Sequence, residues 1–304
     1  MKHSAFISEG QWYKGNLHSH TTCSDGIMTP EACIQAYKEK GYSFLALTDH
    51  NLFTAYPDAC SKDFLVLPAT ERNTSCFPGS YEQIHVVGLK KQDIRDKISQ
   101  PLSLTFTEEG TEKDWQALLD EMHAAGQLSI IAHPVWTRMS IEKLLTLKDY
   151  LGIEIYNTTC DRTSYTGKSD YIIDCCLRKG KKFFLFATDD CHEGEPDMFG
   201  GWITVKAPAL THADLMEHIC KGSFYASTGP EIYDFGIDDD QVVYVECSPC
   251  VSVNFITYEK RGHSIVGKNL TSGSFHLSGT ETFVRCECVD AGGKIAYTNP
   301  IFLK

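Results

Sequence analysis

Two histidines lie one residue apart in the segment GNLHSHTTCSDG at residues 15–26, and an aspartate follows five positions after the second. Hydrophobic residues before the pair predict a β-strand. In a strand, His18 and His20 point to the same face, with their imidazoles close enough to share one ion. Asp25 follows after a five-residue turn, and its carboxylate is expected to face the same point as the two imidazoles. The pattern indicates a metal site.

Further histidines and carboxylates occur at the ends of other predicted strands, and Asp190 with His192 forms a second i,i+2 pair. The strand ends of a parallel αβ barrel converge on one face, so we expect distant ligands to meet there. Nine ligands are too many for one ion and suit two or three, with Glu71 bridging. The nine are His18, His20, Asp25, His50, Glu71, His85, His133, Asp190 and His192; Glu154 lies inside a predicted strand.

Through residue 221, short β-branched or aromatic runs alternate with amphipathic stretches, which is typical of βα units. Helices are expected from Thr29 and Pro30 to about Lys40, and over TEKDWQALLDEMHAAG, SDYIIDCCLRKG and THADLMEHICKG. Hydrophobic residues show no clear periodicity over residues 90–110, so this segment is predicted to be a loop. The seven predicted strands are YKGNLHSH, SFLALTDH, FLVLPATE, YEQIHVVGL, QLSIIAHP, GIEIYN and KKFFLFATDDCH.

From about Ser223, hydrophobic and polar residues alternate with a period of two. Gly, Asp and Ser turns break this alternation, and no helical stretch intervenes. This favours a small antiparallel β domain of roughly eighty residues, within the normal size range of domains. We therefore divide the chain into an α/β barrel over residues 1–221 and a C-terminal all-β domain over residues 222–304.

The composition is that of an ordinary globular protein, with 42% hydrophobic and 22% charged residues and no apolar run that could span a membrane. The opening MKHSAFISEGQW lacks the features of a signal peptide, so a cytoplasmic location is expected. The thirteen scattered cysteines are expected to be free thiols. A net charge of −12 disfavours stable binding of long nucleic acid and favours small substrates.

Structural explanations compete with the metal hypothesis. A single histidine at a strand end is more often a hydrogen-bonded surface or core residue than a ligand, so the prediction depends on the group. Cys23 and Cys191 are interpreted as packing residues rather than thiolate ligands. Two cysteine pairs, at 247 with 250 and 286 with 288, could form a structural zinc site, but their spacing favours buried thiols. The histidines without companions, expected to be structural or solvated, are His3, His123, His212, His218, His263 and His276.

In their order along residues 13–205, the motifs HSH with Asp25, TDHN, the isolated Glu71, the histidine of HVVGL, AHP and DCH resemble those of the polymerase and histidinol phosphatase (PHP) family of metal-dependent phosphoesterases. GNLHSHT, TDHN and GSFYASTGPEI are most similar to its carbaryl hydrolase-like branch. The resemblance implies a distorted seven-stranded (β/α)7 barrel with a trinuclear site. It assigns His18, His20, Glu71 and Asp190 to the first ion, Glu71, His85 and His133 to the second, and Asp25, His50 and His192 to the third.

One motif departs from the family pattern. Family members commonly show Gly-Ser-Asp-Ala-His where this chain has TDDCH at residues 188–192. Asp189 is therefore an alternative ligand, and we prefer Asp190 because it keeps the i,i+2 relation to His192.

These observations predict a metal-dependent hydrolase that cleaves small phosphate mono- or diesters with a hydroxide bridging two ions, the metals being zinc, manganese or iron. The predicted catalytic residues are Asp25, Glu71, Asp190 and His192. Asp49 is expected to orient its neighbour His50. Arg72 and Arg138 are candidate phosphate contacts, although a solvated position is equally expected for both.

Three alternatives stay open. The same hydroxide could attack a carbonyl in a carboxylester or carbamate hydrolase. An exonuclease that acts on short oligonucleotides is the second alternative, and a non-catalytic metal-binding module is the third. The sequence does not indicate the oligomeric state.

Overall fold

The computed structural model describes residues 1–7, 9–74, 83–103, 112–258 and 262–304. The helices in these ranges are α1 (Pro30–Glu39), α2 (Glu112–Ala124), α3 (Ile141–Thr146), α4 (Thr158–Ser164), α5 (Asp170–Arg178) and α6 (His212–Cys220), with short 3-10 helices at Pro57–Ala59 and Glu195–Asp197. The strands are β1 (Lys2–Ser4), β2 (Gln11–Asn16), β3 (Phe44–Ala46), β4 (Leu52–Ala55), β5 (Leu65–Leu67), β6 (Ala69–Asn73), β7 (His85–Lys90), β8 (Ile98–Pro101), β9 (Gln127–Ile131), β10 (Gly152–Asn157), β11 (Phe184–Thr188), β12 (Trp202–Ala207), β13 (Phe224–Ser227), β14 (Ile232–Asp238), β15 (Val242–Thr257), β16 (His263–His276), β17 (Phe283–Val289), β18 (Ile295–Thr298) and β19 (Ile301–Phe302).

Local sequence signals explain where several helices begin and end. The Thr29 hydroxyl accepts a hydrogen bond from the Ala32 amide and Pro30 opens α1, while Thr211 caps α6 through the Asp214 amide. Gly41, just beyond α1, has φ +80°, a conformation that glycine adopts without strain. These ends agree with the sequence-based expectation.

The strands form two sheets of mixed direction. The first has the order β1-β14-β15-β17-β18-β13-β12-β2-β3-β5, with β16 beside β15 and β19 beside β17. The second has the order β11-β10-β9-β7-β6-β4-β8. β2, β3 and β5 pair in parallel, as do β9, β10 and β11. The fold is therefore mixed α/β, with many strands and few helices.

The two sheets meet at two places, both next to predicted ligands. Pro68 alone separates β5 from β6, and it passes the chain from the first sheet to the second. An isolated parallel bridge then joins His50 to Glu71. On the other side, Ser19 bridges Cys191 beyond the ends of β2 and β11. The strand ends of both sheets are thus held together by backbone contacts.

A large apolar core fills the space between the sheets and their covering helices. Trp115 of α2 is fully buried in it, together with Leu119 on the same helix, Phe44 of β3 and Phe186 of β11. Burial of such aromatic and aliphatic side chains is the main favourable contribution to folding. This core holds the strands rigid beneath the site.

Several sequence-based expectations were wrong in detail. The first predicted strand ran to His20, but β2 ends at Asn16 and only Ser19 forms a bridge beyond it. FLVLPATE is two strands because Pro68 lacks the amide that would continue the ladder. The segment 90–110, predicted as loop, contains β8, which pairs with β4. Parts of three predictions, at 81–82, 104–110 and Thr111, lie outside the described residues.

The expectation of a uniformly parallel barrel was also wrong for one strand. β7 is antiparallel to both of its neighbours, β6 and β9. His85 is the first residue of β7, so the reversal brings it to the edge at which the other strands end. An isolated apolar run does not reveal its direction, because direction depends on which strands it pairs with.

The C-terminal strands continue the first sheet. β13 pairs with β12, a strand that sequence patterning missed, and β12 pairs with β2. At the other edge β1 pairs with β14, so the first residues of the chain join the C-terminal strands. The pairings among β13 to β19 are all antiparallel in the described segments. The boundary at residues 221 and 222 stays a prediction.

The four cysteines of the CSPC and CEC motifs are buried in the apolar core of the C-terminal strands. Within the described part of the chain, no thiol belongs to a group of side chains close enough together to hold a metal ion. The interpretation of these cysteines as buried thiols stays a prediction. Among the described helices, none is long and apolar enough to cross a membrane.

Arg285 of β17 ties the C-terminal strands to α5. Its guanidinium is fully buried and donates to Asp174 at 2.8 Å and to Glu287. We expect Arg285→Met to lower the free energy of unfolding by about 3 kcal/mol, because two carboxylates lose their buried cation. Chemical denaturation followed by circular dichroism measures this change.

Lys221→Met is the matched control, because Lys221 and Glu217 form an exposed pair expected to contribute less than about 1 kcal/mol. Equal, small changes in both variants would contradict a stabilising role for the Arg285 pairs.

Candidate metal centre

Two histidine rings converge just beyond β2. The i,i+2 spacing puts the Nε2 atoms of His18 and His20 3.2 Å apart, and both side chains are buried. The Asn16 amide group, which donates to the His18 carbonyl and the Ser19 hydroxyl, holds the backbone between them. The two rings therefore face one point, as the sequence predicts for donors to a shared ion.

Glu71 of β6 is at the centre of the cluster and is fully buried. Its two carboxylate oxygens face different histidines. Oε2 lies 3.4 Å from His18 Nε2, 3.3 Å from His20 Nε2 and 2.9 Å from His50 Nδ1. Oε1 lies 2.9 Å from His85 Nδ1 and 3.4 Å from His133 Nε2. One carboxylate thus contacts histidines contributed by several different strand ends.

Asp190 also approaches the paired histidines. Its Oδ1 is 3.2 Å from His18 Nε2 and 3.1 Å from His20 Nε2, and its Oδ2 is 3.6 Å from His133 Nε2. The backbone of Asp190 has φ +57°, in the left-handed region that non-glycine residues rarely adopt. Such strain is typical of functional positions held by the surrounding structure.

Asp189 faces away from this cluster. Its carboxylate accepts hydrogen bonds from the Tyr37 and Thr158 hydroxyls and from the backbone amides of residues 199–201. With these donors, Asp189 fixes the loop after β11 and has a structural role. The geometry therefore favours Asp190 as the ligand.

A more exposed group lies at the rim. The Oδ2 atom of Asp25 is 3.5 Å from His50 Nε2, and its Oδ1 atom is 3.6 Å from His192 Nε2. Asp25 is half exposed, whereas the buried residues Glu71 and Asp190 lie deeper. The nine predicted ligands are thus all brought together, in overlapping groups that extend from the interior to the surface.

The donor atoms fit divalent cations. Ligand atoms about 2.1 Å from one ion lie about 3.0–3.4 Å apart, which is close to the separations around Glu71 and Asp190. Among the described residues, Glu71 Oε2, Asp190 Oδ1 and His50 Nδ1 are buried, and their close contacts with one another or with neighbouring rings do not have hydrogen-bond geometry. Buried polar atoms of this kind are rare unless a ligand or ion satisfies them. The four groups of potential ligands are His20, Asp25, His50 and His192; His18, Glu71 and His133; His18, His20 and Asp190; and His50, Glu71 and His85.

The cluster is strongly coupled electrostatically. Burial alone would lower the pKa of His18, but the carboxylates of Asp190 and Glu71 raise it well above its usual value. Burial would likewise raise the pKa of Glu71, yet the imidazoles of His18 and His50 hold it well below its usual range. For His192, Asp25 and Asp190 outweigh burial and raise the pKa to about 9. The carboxylates therefore stay ionised, and cations compete with protons for the histidines.

Glu154 orients two of the histidines. Its Oε1 accepts from His18 Nδ1 at 2.8 Å, and its Oε2 accepts from the His133 amide at 2.9 Å. Thr188 and Asn157 also donate to this carboxylate. With Nδ1 donating to Glu154, Nε2 is the nitrogen of His18 that can give up its proton to coordinate a cation, and it faces the cluster. The sequence showed Glu154 on its strand but did not predict this role.

Asp49 orients a different part of the site than expected. It accepts from the Thr21 amide at 2.8 Å and from the Ser24 hydroxyl at 2.9 Å, and among the described residues its carboxylate makes no hydrogen bond to the His50 ring. Asp49 therefore supports the loop that carries His20 and Asp25. The small hydroxyl residues of the opening motif serve as its hydrogen-bond donors.

A cavity of about 430 Å³ opens onto the cluster. Neither predicted phosphate-binding arginine belongs to the described residues that line it. Arg72 is buried and donates to Glu121 and to the Ser103 carbonyl, and Arg138 is exposed and donates to the Val135 carbonyl. The lining residues are Asp25, His50, Glu71, His85, His133, Trp136, Thr159, Cys160, Thr163, Asp190, His192, Glu193 and Asp197. Sequence analysis missed Trp136, whose only signal was its place three residues after His133.

Comparison with known proteins shows which family part of the chain is similar to. Residues 16–156 match the family model of the PHP domain. The predicted resemblance to that family is confirmed, whereas the carbaryl hydrolase-like branch stays a prediction.

Two bacterial relatives and one solved structure are similar to the chain. The 5′-3′ exoribonucleases Rnm of Salmonella typhimurium and Escherichia coli are each 36% identical over 104 residues, which is 32% of this chain and 33% of each relative. The match thus spans about a third of these relatives. A two-domain protein from Bacteroides vulgatus, described as containing a predicted PHP-like metal-dependent phosphoesterase, has a TM-score of 0.53 at 14% identity, covering 99% of this chain and 98% of its own. This likeness shows a shared fold.

We expect metal binding at pH 7 to release protons. His192, with a pKa of about 9, must lose its proton to coordinate, so apparent affinity should rise as the pH increases toward about 9. Titration calorimetry with Zn²⁺ in buffers of different ionisation enthalpy measures the number released. Binding heats that are independent of the buffer would contradict this protonation state.

We also expect Glu154→Gln to weaken metal binding by about 10- to 100-fold, because the amide cannot accept from all four donors that surround the carboxylate. Competition with a chelator of known affinity measures the change. Glu217→Gln, on the exposed face of α6, is the control. Unchanged affinity in Glu154→Gln would show that the other contacts of His18 suffice to orient it.

Proposed function

We propose that the protein is a metal-dependent hydrolase that cleaves small phosphate mono- or diesters. The observation that supports this most directly is the convergence of six histidines and three carboxylates on one cluster that extends from the interior to the cavity rim. The PHP domain match supports the same class of enzyme. Together they favour catalysis by cations over catalysis by a side-chain nucleophile.

The proposed site holds two or three divalent ions of zinc, manganese or iron. Imidazole and carboxylate donors suit all three metals. The separations around Glu71 are consistent with a bridging carboxylate, since its two oxygens face different histidines. Asp25, His50 and His192 form the outer group. The strands of the two sheets are connected at Pro68 and at the Ser19 bridge. These connections support the more specific proposal that the fold is a distorted (β/α)7 barrel.

The residues of the chain prepare this site in three ways. When bound, divalent ions lower the pKa of a coordinated water and polarise phosphate oxygens. Glu71 and Asp190 supply buried negative charge that holds the cations, and Glu154 keeps the His18 lone pair on the atom facing them. His192 Nδ1 donates to the Asp190 carbonyl at 2.7 Å, which directs its Nε2 toward Asp25 at the cavity rim. The substrate phosphate would enter from this rim.

The testing experiment combines metal analysis with turnover. Protein purified without chelator should contain two to three ions per chain and should hydrolyse p-nitrophenyl phosphate in a manganese-stimulated reaction. Asp190→Asn should lose metal and reduce kcat/KM by more than about 100-fold, because it removes a direct ligand rather than a residue that only orients one. Asp240→Asn, at an exposed turn, is the control.

Other outcomes would favour the alternatives. Turnover of p-nitrophenyl acetate without phosphate turnover would indicate the carboxylester or carbamate hydrolase. One ion or none, with no turnover after reconstitution, would indicate a non-catalytic module.

A short-RNA exonuclease is the second candidate function, and the similarity to the two exoribonucleases favours it. Against it, the net charge is −12, and the described lining of the cavity contains no lysine or arginine to contact successive phosphates. Release of mononucleotides from a short 5′-phosphorylated RNA, faster than hydrolysis of small esters under the same conditions, would establish this activity instead.

A further inference from the structure

Trp136 is a partly exposed aromatic side chain on the wall of the metal cavity. It follows His133 by three residues in the turn after β9, and 40% of its surface is exposed. Exposed tryptophan is uncommon because burying the large indole ring is favourable, and such rings in cavities commonly bind ligands.

Two predicted ligands fix the position of the ring. The indole lies nearly perpendicular to the rings of His85 and His133, with centroid distances of 5.6 and 5.2 Å. A phosphate bound beside these histidines would therefore have its ester group within one ring's width of Trp136. A group attached to that phosphate could therefore reach the indole.

The charge of the cavity limits what that leaving group can be. The described lining contains five carboxylates, at Asp25, Glu71, Asp190, Glu193 and Asp197, and four histidines, but neither lysine nor arginine. Apart from the proposed ions that would hold the reacting phosphate, a second anionic group would find no lysine or arginine in this described lining and would lie near the carboxylates of Glu193 and Asp197. An uncharged group with a flat face is favoured.

We propose that Trp136 determines substrate specificity by stacking against a flat aromatic ring in the leaving group of a phosphate ester. This inference rests on the proposed phosphoesterase function and adds the class of leaving group. The cavity, at about 430 Å³, is large enough to hold one ring together with a phosphate.

The test compares benzyl phosphate with cyclohexylmethyl phosphate. The two esters are similar in size and in the acidity of the alcohol that they release, but the first has a flat ring and the second a puckered ring. Trp136→Ala should lower kcat/KM for benzyl phosphate by about five- to tenfold and that for cyclohexylmethyl phosphate less than about twofold. Trp136→Phe should restore most of the preference. Tyr171→Ala, an exposed aromatic on α5, is the control.

A binding measurement separates this inference from the proposed function. Titration calorimetry of the metal-loaded protein with benzylphosphonate and cyclohexylmethylphosphonate, neither of which can be hydrolysed at an ester bond, should show tighter binding of the flat ring, lost in Trp136→Ala. Preference in binding without turnover of any phosphate ester would overturn the proposed function alone. The role of Trp136 would be overturned if the wild type bound the two phosphonates equally. It would also be overturned if Trp136→Ala, at unchanged metal content, weakened the binding of both phosphonates equally.

Discussion

The burial of two carboxylates, those of Glu71 and Asp190, is the constraint on which the site depends. A carboxylate taken out of water is unfavourable by several kcal/mol unless positive charge or hydrogen bonds replace the lost solvation. Here the neighbours are imidazole nitrogens rather than lysine or arginine, and several separations are close to those around a metal ion. Imidazole can exchange its proton for a cation, whereas an arginine would neutralise the carboxylate permanently.

Precise placement of these groups requires rigid backbone at the strand ends. Asp190 and His133 both have positive φ values, so the surrounding structure must hold them in place. Asp189 anchors the loop after β11 and Asp49 anchors the loop after β2, each through several buried hydrogen bonds. The acidic residues next to the predicted ligands, Asp49 and Asp189, thus stabilise the loops, and the predicted ligands converge on the site.

The continuous first sheet connects the site to the C-terminal strands. β2, which precedes His18, pairs with β12, and β12 pairs with β13. The buried Arg285 adds a second connection through α5. The C-terminal strands therefore support the strand that leads into the paired histidines, which is a physical reason for their presence in the same chain.

Much of the site could be predicted from short-range patterns. The His18–His20 and Asp190–His192 spacings bring donors together over two residues, and the caps at Thr29 and Thr211 depend on neighbouring amides, so both are decided locally. The identity of the nine clustered residues follows from such patterns and from the convergence of strand ends.

The features that short-range patterns do not predict depend on long-range pairing. The reversed direction of β7, the transfer between sheets at Pro68, and the partners of Glu154 and Arg72 depend on segments distant in sequence, and no local periodicity encodes them. Trp136 differs from a buried tryptophan only through the cavity that the fold leaves beside it. By itself the sequence determined which chemical groups were available and their local spacing; the tertiary structure alone decided which of them share a centre, because only packing brings distant strand ends to one place.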